Sequence, residues 1–281
     1  MKRTLFAVLF AAISAMMTIP CAAFAAQGFR VVFYNVGKAD AALIEAPGGM
    51  RILIDTGTNK AGKQLAARLE QEGVERIDLM IITHFDKDHV GGADKILEGV
   101  EVGEVLMPDY DKESKQLTQL EEALDDSPGT RVTRLSAGEQ TAIELDGVHL
   151  RVTAAHETYY GPDEENDFSL CTTLTYGRTR FLFPGDAEDA RQREILAEGD
   201  VACDVLKVPY HGRWVGASRD FLTAASPRIA FITESDDELS DGRTAALLET
   251  LGCAVYSARD GDLTVLSDGE SVQVEDRDNK K

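Results

Sequence analysis

The feature that most constrains the fold is a polar cluster that directly follows a buried strand. Residues 77–82 form a nearly continuous apolar run, which is the pattern of a strand that is buried on both faces. The next residues include four metal-binding types within six positions, namely His84, Asp86, Asp88 and His89. Histidine nitrogen and carboxylate oxygen suit zinc, manganese and iron. The sequence therefore predicts a metal site at the end of this strand.

Two more apolar strands end in residues of the same kind. Asp186 follows the apolar residues 181–183, and His211 follows the apolar residues 205–208. An aspartate has two oxygens and can bridge two cations that lie ~3.5–4 Å apart. Either residue alone would be unremarkable, but strand ends can meet at one edge of a sheet. We therefore expect five residues to converge within ligand distance of one small volume: His84, Asp88, His89, Asp186 and His211.

Seven motifs in order along the chain resemble one protein family. They lie at residues 35–41, 52–57, 84–92, 165–170, 184–186, 204–212 and 260–265. Together they resemble the metallo-β-lactamase fold and, within it, the metallo-hydrolase domain of the bacterial competence DNA-uptake channel protein (the ComEC type). The resemblance implies an α/β fold of αββα type, a sandwich of two mixed sheets with helices on the outside.

The resemblance also implies roles for the individual residues. His84 and Asp86 would bind one cation, while Asp186 would bridge to a second cation bound by Asp88, His89 and His211. Asp55 would orient a ligand near the strand end. Asn166 falls where the lactam-cleaving relatives place a third histidine for the first cation. Because an asparagine is a poorer ligand, this first position is expected to be weak or empty.

The chain departs from the family pattern where a substrate would bind. Tyr210 and Arg213 flank His211 and Gly212, where the family usually has His-His-Gly-Ser. The guanidinium fork of Arg213 matches phosphate oxygens. Lys207 precedes this motif and could stabilise developing negative charge if it faces the site. Residues 234–237 also replace a His-Pro that the family often carries.

These residues predict a hydrolase that uses one or two divalent metal ions, Zn or Mn. Such ions lower the pKa of bound water toward ~7 and create a metal-bound hydroxide. Asp86 or Asp88 could accept the proton. The resemblance favours phosphodiesters, in short nucleic acid or a smaller molecule, and the formal net charge of -20 disfavours long duplex DNA. Two alternatives stay open: an acyl hydrolase of lactams, lactones or thioesters, and a non-catalytic metal-binding module of the same fold.

The N-terminal residues predict export. Lys2 and Arg3 precede an apolar run over residues 5–19, and Ala23-Phe24-Ala25 fits a signal-peptidase site. The apolar run is short for a ~20-residue spanning helix. We therefore expect residues 1–25 to be a signal peptide, residues 26–275 one secreted or periplasmic domain with no stable membrane association, and residues 276–281 a disordered tail. The oligomeric state stays open.

Local patterns predict the remaining elements. Residues 29–33, 41–45 and 51–54 read as a strand meander, and residues 170–176 and 179–183 as a hairpin. Residues 132–135, 141–143 and 149–154 read as strands of a second sheet. The three cysteines beyond the signal segment lie in apolar stretches and read as core residues, with one disulfide left open after export: Cys171, Cys203 and Cys253.

Overall fold

The computed structural model describes residues 28–145, 147–162 and 165–275. The predicted signal peptide (1–25) and the predicted tail (276–281) lie outside these residues. The described elements are, in chain order, β1 (Phe29–Phe33), β2 (Ala42–Glu45), β3 (Arg51–Ile54), α1 (Asn59–Gln71), β4 (Arg76–Ile81), α2 (Ala93–Gly99), β5 (Glu101–Pro108), α3 (Lys115–Asp125), β6 (Arg131–Leu135), β7 (Gln140–Leu145), β8 (Val148–Thr153), β9 (Cys171–Tyr176), β10 (Thr179–Phe183), α4 (Asp189–Glu198), β11 (Val205–Lys207), α5 (Ser218–Ala225), β12 (Ile229–Ile232), α6 (Gly242–Thr250), β13 (Ala254–Ser257), β14 (Leu263–Ser267) and β15 (Val272–Val274).

The first sheet is mixed and has the strand order β15-β14-β1-β2-β3-β4-β5-β6. Strands β1, β2 and β3 form the predicted antiparallel meander, while β3 to β6 run parallel. Strand β4 is central and its apolar residues are buried, as its nearly continuous hydrophobic run predicts. Because β4 is central, the polar residues that follow it emerge in the middle of one sheet edge.

The second sheet is also mixed and has the order β13-β12-β11-β10-β9-β8-β7. Strands β9 and β10 form the predicted hairpin, and β10 to β13 run parallel. The prediction that residues 132–135 belong to this sheet is wrong. They form β6, which pairs with β5 at the edge of the first sheet. A short strand shows its own pattern of exposed and buried residues, but that pattern does not specify its partner.

Three apolar layers hold the sheets and helices together. The central layer lies between the two sheets and contains Phe33, whose ring contacts those of Phe183 and Phe231. A second layer joins the first sheet to the helices α1, α2 and α3, and a third joins the second sheet to α4, α5 and α6. The fold is therefore the α/β sandwich of αββα type that the sequence predicts.

Local signals explain where the helices begin. Thr58 caps α1 by accepting a hydrogen bond from the Ala61 backbone N–H, and Ser114 caps α3 in the same way from Leu117. No helix in the described part of the chain is long and apolar enough to cross a membrane. The cysteines Cys171, Cys203 and Cys253 are unpaired and pack in or against the third apolar layer.

Candidate metal centre

Residues from both sheets meet at one edge of the sandwich. The first sheet contributes His84, Asp88 and His89 after β4, and the second contributes Asp186 after β10 and His211 after β11. All five side chains are buried. The ends of β4, β10 and β11 therefore bring together residues that lie up to more than one hundred positions apart in the sequence.

The distances place four of these residues in mutual contact. His211 Nε2 lies 2.8 Å from Asp186 Oδ2 and 3.4 Å from Asp88 Oδ2. His89 Nε2 lies 3.3 Å from the same Asp186 oxygen. The His84 ring lies 4.1 Å from the His89 ring, measured between centroids. The structure thus brings these side chains close together, with Asp186 Oδ2 between His89 and His211.

Each histidine is held through its Nδ1 atom. His89 Nδ1 donates to Asp55 Oδ2 at 2.8 Å, and His211 Nδ1 faces the carbonyl and hydroxyl oxygens of Thr233 at 3.0 and 2.9 Å. The Thr83 hydroxyl lies 3.1 Å from His84 Nδ1. Within the described residues, the Nε2 atoms of all three histidines are buried; that of His84 has no partner, and those of His89 and His211 face Asp186 Oδ2 without the alignment of a hydrogen bond. Metal-binding histidines are oriented in this way by the groups behind them, so the side chains present fit a divalent cation.

Asp55 lies beneath His89, where the sequence placed an orienting residue. Its backbone is in the left-handed region, with φ of 57°. Besides His89, its carboxylate accepts hydrogen bonds from the Thr83 backbone N–H and hydroxyl, both at 2.8 Å. A non-glycine residue in this conformation costs energy and is typical of functional sites. The hydrogen bonds from Thr83, which lies just after β4, hold Asp55 against the histidine.

A fifth carboxylate, Asp40, belongs to the site and was absent from the predicted ligand set. Asp40, His89, Asp186 and His211 each offer a ligand atom within 4.8 Å of the others. Asp40 approaches the Nδ1 sides of His89 and His211, at 3.7 and 3.6 Å. We therefore interpret Asp40 as a supporting carboxylate behind the ligands. A signal was present, because Asp40 is the acidic residue of the 35–41 motif, directly before an apolar strand.

Lys207 lies below the ligands and not on their open side. Its side chain is 5% exposed, and its ammonium group contacts Asp40, Asp186 Oδ1 at 3.0 Å and the Gly185 carbonyl at 3.1 Å. Three acceptors use the three N–H groups of a lysine. Lys207 is therefore paired with Asp186 and Asp40, and it does not reach the surface where a substrate would approach.

Two other lysines contact the carboxylates of the central motif. Lys38 donates to Asp88 Oδ2 at 3.0 Å, and Lys112 donates to Asp86 Oδ1 at 2.5 Å. Lys112 also contacts Glu165. Neither lysine was predicted, because Lys38 stands where the family motif has glutamine and Lys112 lies in a polar segment without periodicity.

The remaining predicted residues lie at the rim. The Asn166 amide nitrogen donates to Glu188 Oε1 at 2.7 Å. Arg213 lies beside Tyr210, with its guanidinium 5.3 Å from the ring centroid, and its side chain is half exposed. His156, ten residues before Asn166, lies 3.1 Å from Glu198.

The charges around the ligands shift their pKa values in opposite directions. Burial, together with the neighbouring His89, lowers the pKa of His84 to about 4, so its ring is neutral and able to bind a metal. Burial opposes charge on His89, but the carboxylates of Asp186, Asp55 and Asp40 outweigh it and raise the pKa of His89 well above its usual value. Burial likewise opposes ionisation of Asp186, and the cations His211, Lys207 and His89 still hold its pKa well below the usual range. The carboxylates are therefore ionised, as metal ligands must be.

The turn that carries His211 is strained. Tyr210 and His211 both have φ of 50°, so two consecutive non-glycine residues lie in the left-handed region. The turn comprises residues Pro209–Gly212 and follows β11 directly. This conformation aims His211 inward, and no sequence signal reports it.

Comparison with known proteins places this site in a family. The family model described as the Metallo-beta-lactamase superfamily matches residues 34–232, which include every predicted ligand. The chain is 25% identical over 223 residues to ComE operon protein 3 of Bacillus subtilis, and 28% identical over 210 residues to Recombination protein 2 of Haemophilus influenzae. Each match covers 73% of this chain, but only 28% and 24% of the respective relatives. The chain thus spans about a quarter of the length of these two relatives.

A solved structure supports the same fold. The metallo-beta-lactamase fold protein YhfI from Bacillus subtilis superposes with a TM-score of 0.54 at 13% identity, covering 83% of this chain and 98% of that protein. The resemblance to the ComEC type is confirmed by the two sequence relatives. The chain belongs to the metallo-beta-lactamase superfamily, a family mostly of hydrolases, and carries a candidate site for one or two divalent metals.

Proposed function

We propose that the protein is an exported, metal-dependent hydrolase that cleaves phosphodiesters in small molecules or short nucleic acids. The observation that carries the proposal is the convergence of buried imidazole nitrogens on the carboxylates of Asp88 and Asp186 without aligned hydrogen bonds between them. A purely structural cluster would pair such buried groups through aligned hydrogen bonds.

Four of the five strand-end residues would bind one metal ion directly. His89, His211, Asp88 and Asp186 would hold a zinc or manganese ion, and His84 lies next to them. When bound, a divalent ion polarises a phosphoryl oxygen and lowers the pKa of a water molecule. Contacts with His211, His89 and Lys38 lower the pKa of Asp88 despite burial, so its carboxylate is ionised, as a metal ligand must be, and as a weak base it would take up a proton only transiently.

Arg213 and the size of the neighbouring cleft favour a small anionic substrate. Arg213 is half exposed at the rim, and its charge lies close enough to interact with Asp186. A cavity of about 440 Å³ is lined in part by Tyr110, Phe168 and Glu165, and Glu165 shares Lys112 with Asp86. This volume is typical of sites for small molecules.

A comparison of two substrates tests the proposal. Metal-loaded protein should cleave a chromogenic aryl phosphodiester, and Asp88→Asn should lower kcat/KM by about 10²–10⁴-fold. Asp78→Asn is the matched control. Asp78 lies on β4 away from the site, and its carboxylate accepts hydrogen bonds from the Arg51 backbone N–H and the Arg76 guanidinium. Cleavage of a lactam, lactone or thioester and not of the phosphodiester would make the protein an acyl hydrolase. Bound metal without turnover of either would indicate a binding module.

Export is tested separately. N-terminal sequencing of the protein recovered from the periplasm or medium should begin at residue 26. Recovery of the intact chain from the cytoplasm alone would contradict the proposed signal peptide.

A further inference from the structure

The two carboxylates of the central motif have unequal surroundings. Asp88 shares its place with His89, His211 and Asp186, with nitrogen–oxygen distances of 2.8–3.4 Å within this group. Asp86 faces Lys112, which also contacts Glu165.

The ammonium of Lys112 is well placed to compete with a metal ion. Its side chain is 16% exposed, and it is tied to two carboxylates from different segments, Asp86 after β4 and Glu165 before β9. A charge-assisted contact in a partly dehydrated place is stronger than one on the surface. A divalent cation at Asp86 would have to share this carboxylate with a positive charge that the chain already supplies.

The other predicted ligands on the Asp86 side carry no negative charge that could offset that repulsion. His84 supplies an imidazole, and Asn166 supplies an amide whose nitrogen is bonded to Glu188. Lys38 contacts Asp88 and Lys207 contacts Asp186 in a comparable way, but their half of the site holds four carboxylates, those of Asp40, Asp55, Asp88 and Asp186. The balance of charge therefore favours a cation in one half of the site and opposes it in the other.

We propose that Lys112 limits the site to one tightly bound divalent ion, held by Asp88, His89, Asp186 and His211, by acting as the fixed cation at Asp86. The inference rests on the metal site of the proposed function, but its test needs no substrate. Lys112 is thus a residue that sets metal stoichiometry, and its replacement opens the half of the site formed by His84 and Asp86.

Metal binding without turnover tests this assignment. Full-length protein, freed of metal by a chelator, is dialysed to equilibrium against increasing free Zn²⁺, and bound zinc is measured by elemental analysis. The wild-type protein should bind one equivalent, and Lys112→Met should gain a second equivalent whose affinity is at least tenfold higher than any second binding by the wild type. Parallel loading with Mn²⁺ should give the electron paramagnetic resonance spectrum of isolated ions in the wild type and of a coupled pair in Lys112→Met.

Lys95 supplies the matched control. It also links two carboxylates, Asp94 and Glu98, but on α2 away from the site, so Lys95→Met should still bind one equivalent. Lys112→Gln provides a second uncharged variant if the methionine variant does not fold. Two equivalents in the wild type, no binding by the wild type, or one equivalent in both Lys112 variants would overturn the proposal. Because no substrate is used, lack of hydrolytic activity leaves this result unaffected.

Discussion

The three histidines of the site are each oriented from behind. The Nδ1 atom of His89 contacts the Asp55 carboxylate, that of His211 contacts two oxygens of Thr233, and that of His84 contacts the Thr83 hydroxyl. In each case the buried Nε2 faces the shared volume. For His89 the anchor is Asp55, which itself is held in a left-handed conformation by its bonds to Thr83. The tautomer of the ligand therefore depends on an acceptor that never reaches the metal.

Changing that acceptor should weaken metal binding. Asp55→Asn presents an amide that can donate toward His89 Nδ1, which favours the tautomer with its proton on Nε2. We expect the affinity for zinc to fall about 10–100-fold, measured by competition with a chromophoric chelator. Asp78→Asn, at the other end of β4, should leave the affinity unchanged. Equal affinities for the wild type and Asp55→Asn would show that Asp55 has no orienting role.

The cysteines give a residue-scale prediction about pH. Burial raises the pKa of Cys171 and of Cys253 to about 11. A raised pKa keeps these thiols protonated at pH 8, and the protonated form is not nucleophilic. Folded protein should therefore resist iodoacetamide at pH 8, while denatured protein should be alkylated at Cys171, Cys203 and Cys253, as read by peptide mass spectrometry. A peptide pair that stays unmodified until reduction would instead reveal a disulfide.

At the residue scale, the sequence singled out the strand-end residues and the supporting Asp55, but it missed Asp40, Lys38 and Lys112 and assigned Lys207 to a substrate. The strand-end residues could be predicted because each follows an apolar strand: His84, Asp88, His89, Asp186 and His211. Asp40 and the three lysines Lys38, Lys112 and Lys207 act through contacts between distant segments. Residue type and spacing carry no record of such contacts, so only the folded structure brings them into the site.

At the scale of elements, α1 and α2 approach each other through two glycines. A β-carbon at Gly92 would lie 2.5 Å from the Gly62 α-carbon and 2.3 Å from the Thr56 carbonyl oxygen. Both neighbours are backbone atoms, so neither can move aside without shifting a helix or the loop after β3. Gly92, which follows the metal-binding motif, therefore allows the two helices to pack closely where they cross.

Gly92→Ala should therefore destabilise the protein. Overpacking of this kind costs about 1–3 kcal/mol, and occasionally more. The free energy of unfolding should fall accordingly in urea titrations followed by circular dichroism. Gly242→Ala is the matched control, since a β-carbon there meets nothing within 4 Å, and it should not lower stability. A Gly92→Ala protein as stable as the wild type would mean that the helices separate at little cost.

The assignment of strands to sheets marks a limit of the sequence at this scale. Residues 132–135 read correctly as a strand but pair in the first sheet instead of the second. The hairpin of β9 and β10 was predictable because its turn is local. The partner of β6 is β5, and the helix α3 separates them, so the pairing is decided by tertiary packing.

At the scale of the whole molecule, the candidate ligands join the two sheets. Three of them follow β4 in the first sheet, and two follow β10 and β11 in the second. A bound ion would therefore stabilise the sandwich as a whole and not one local loop. The ordered motifs predicted this architecture in advance, because seven of them together specify a fold that no single motif could.

Metal removal should thus lower the melting temperature of the entire domain. An ion at a free concentration 100-fold above its Kd contributes about 2.7 kcal/mol to stability. Calorimetry should show one transition that moves to lower temperature by several degrees when a chelator is added. His211→Ala should melt at the same temperature with and without chelator, while His149→Ala, a surface change on β8 next to Glu144, should keep the wild-type response. A chelator-sensitive His211→Ala would contradict the proposed ligand set.

The spread of the ligands along the chain also fixes the order of events in the life of the molecule. The cation pocket is complete only after residue 211 has been synthesised and both sheets have joined, so a nascent or unfolded chain has no such pocket. If the chain crosses a membrane unfolded, as the proposed signal peptide requires, it arrives without its ion. The medium in which the chain folds, and not the cell interior, would then determine which ion it carries.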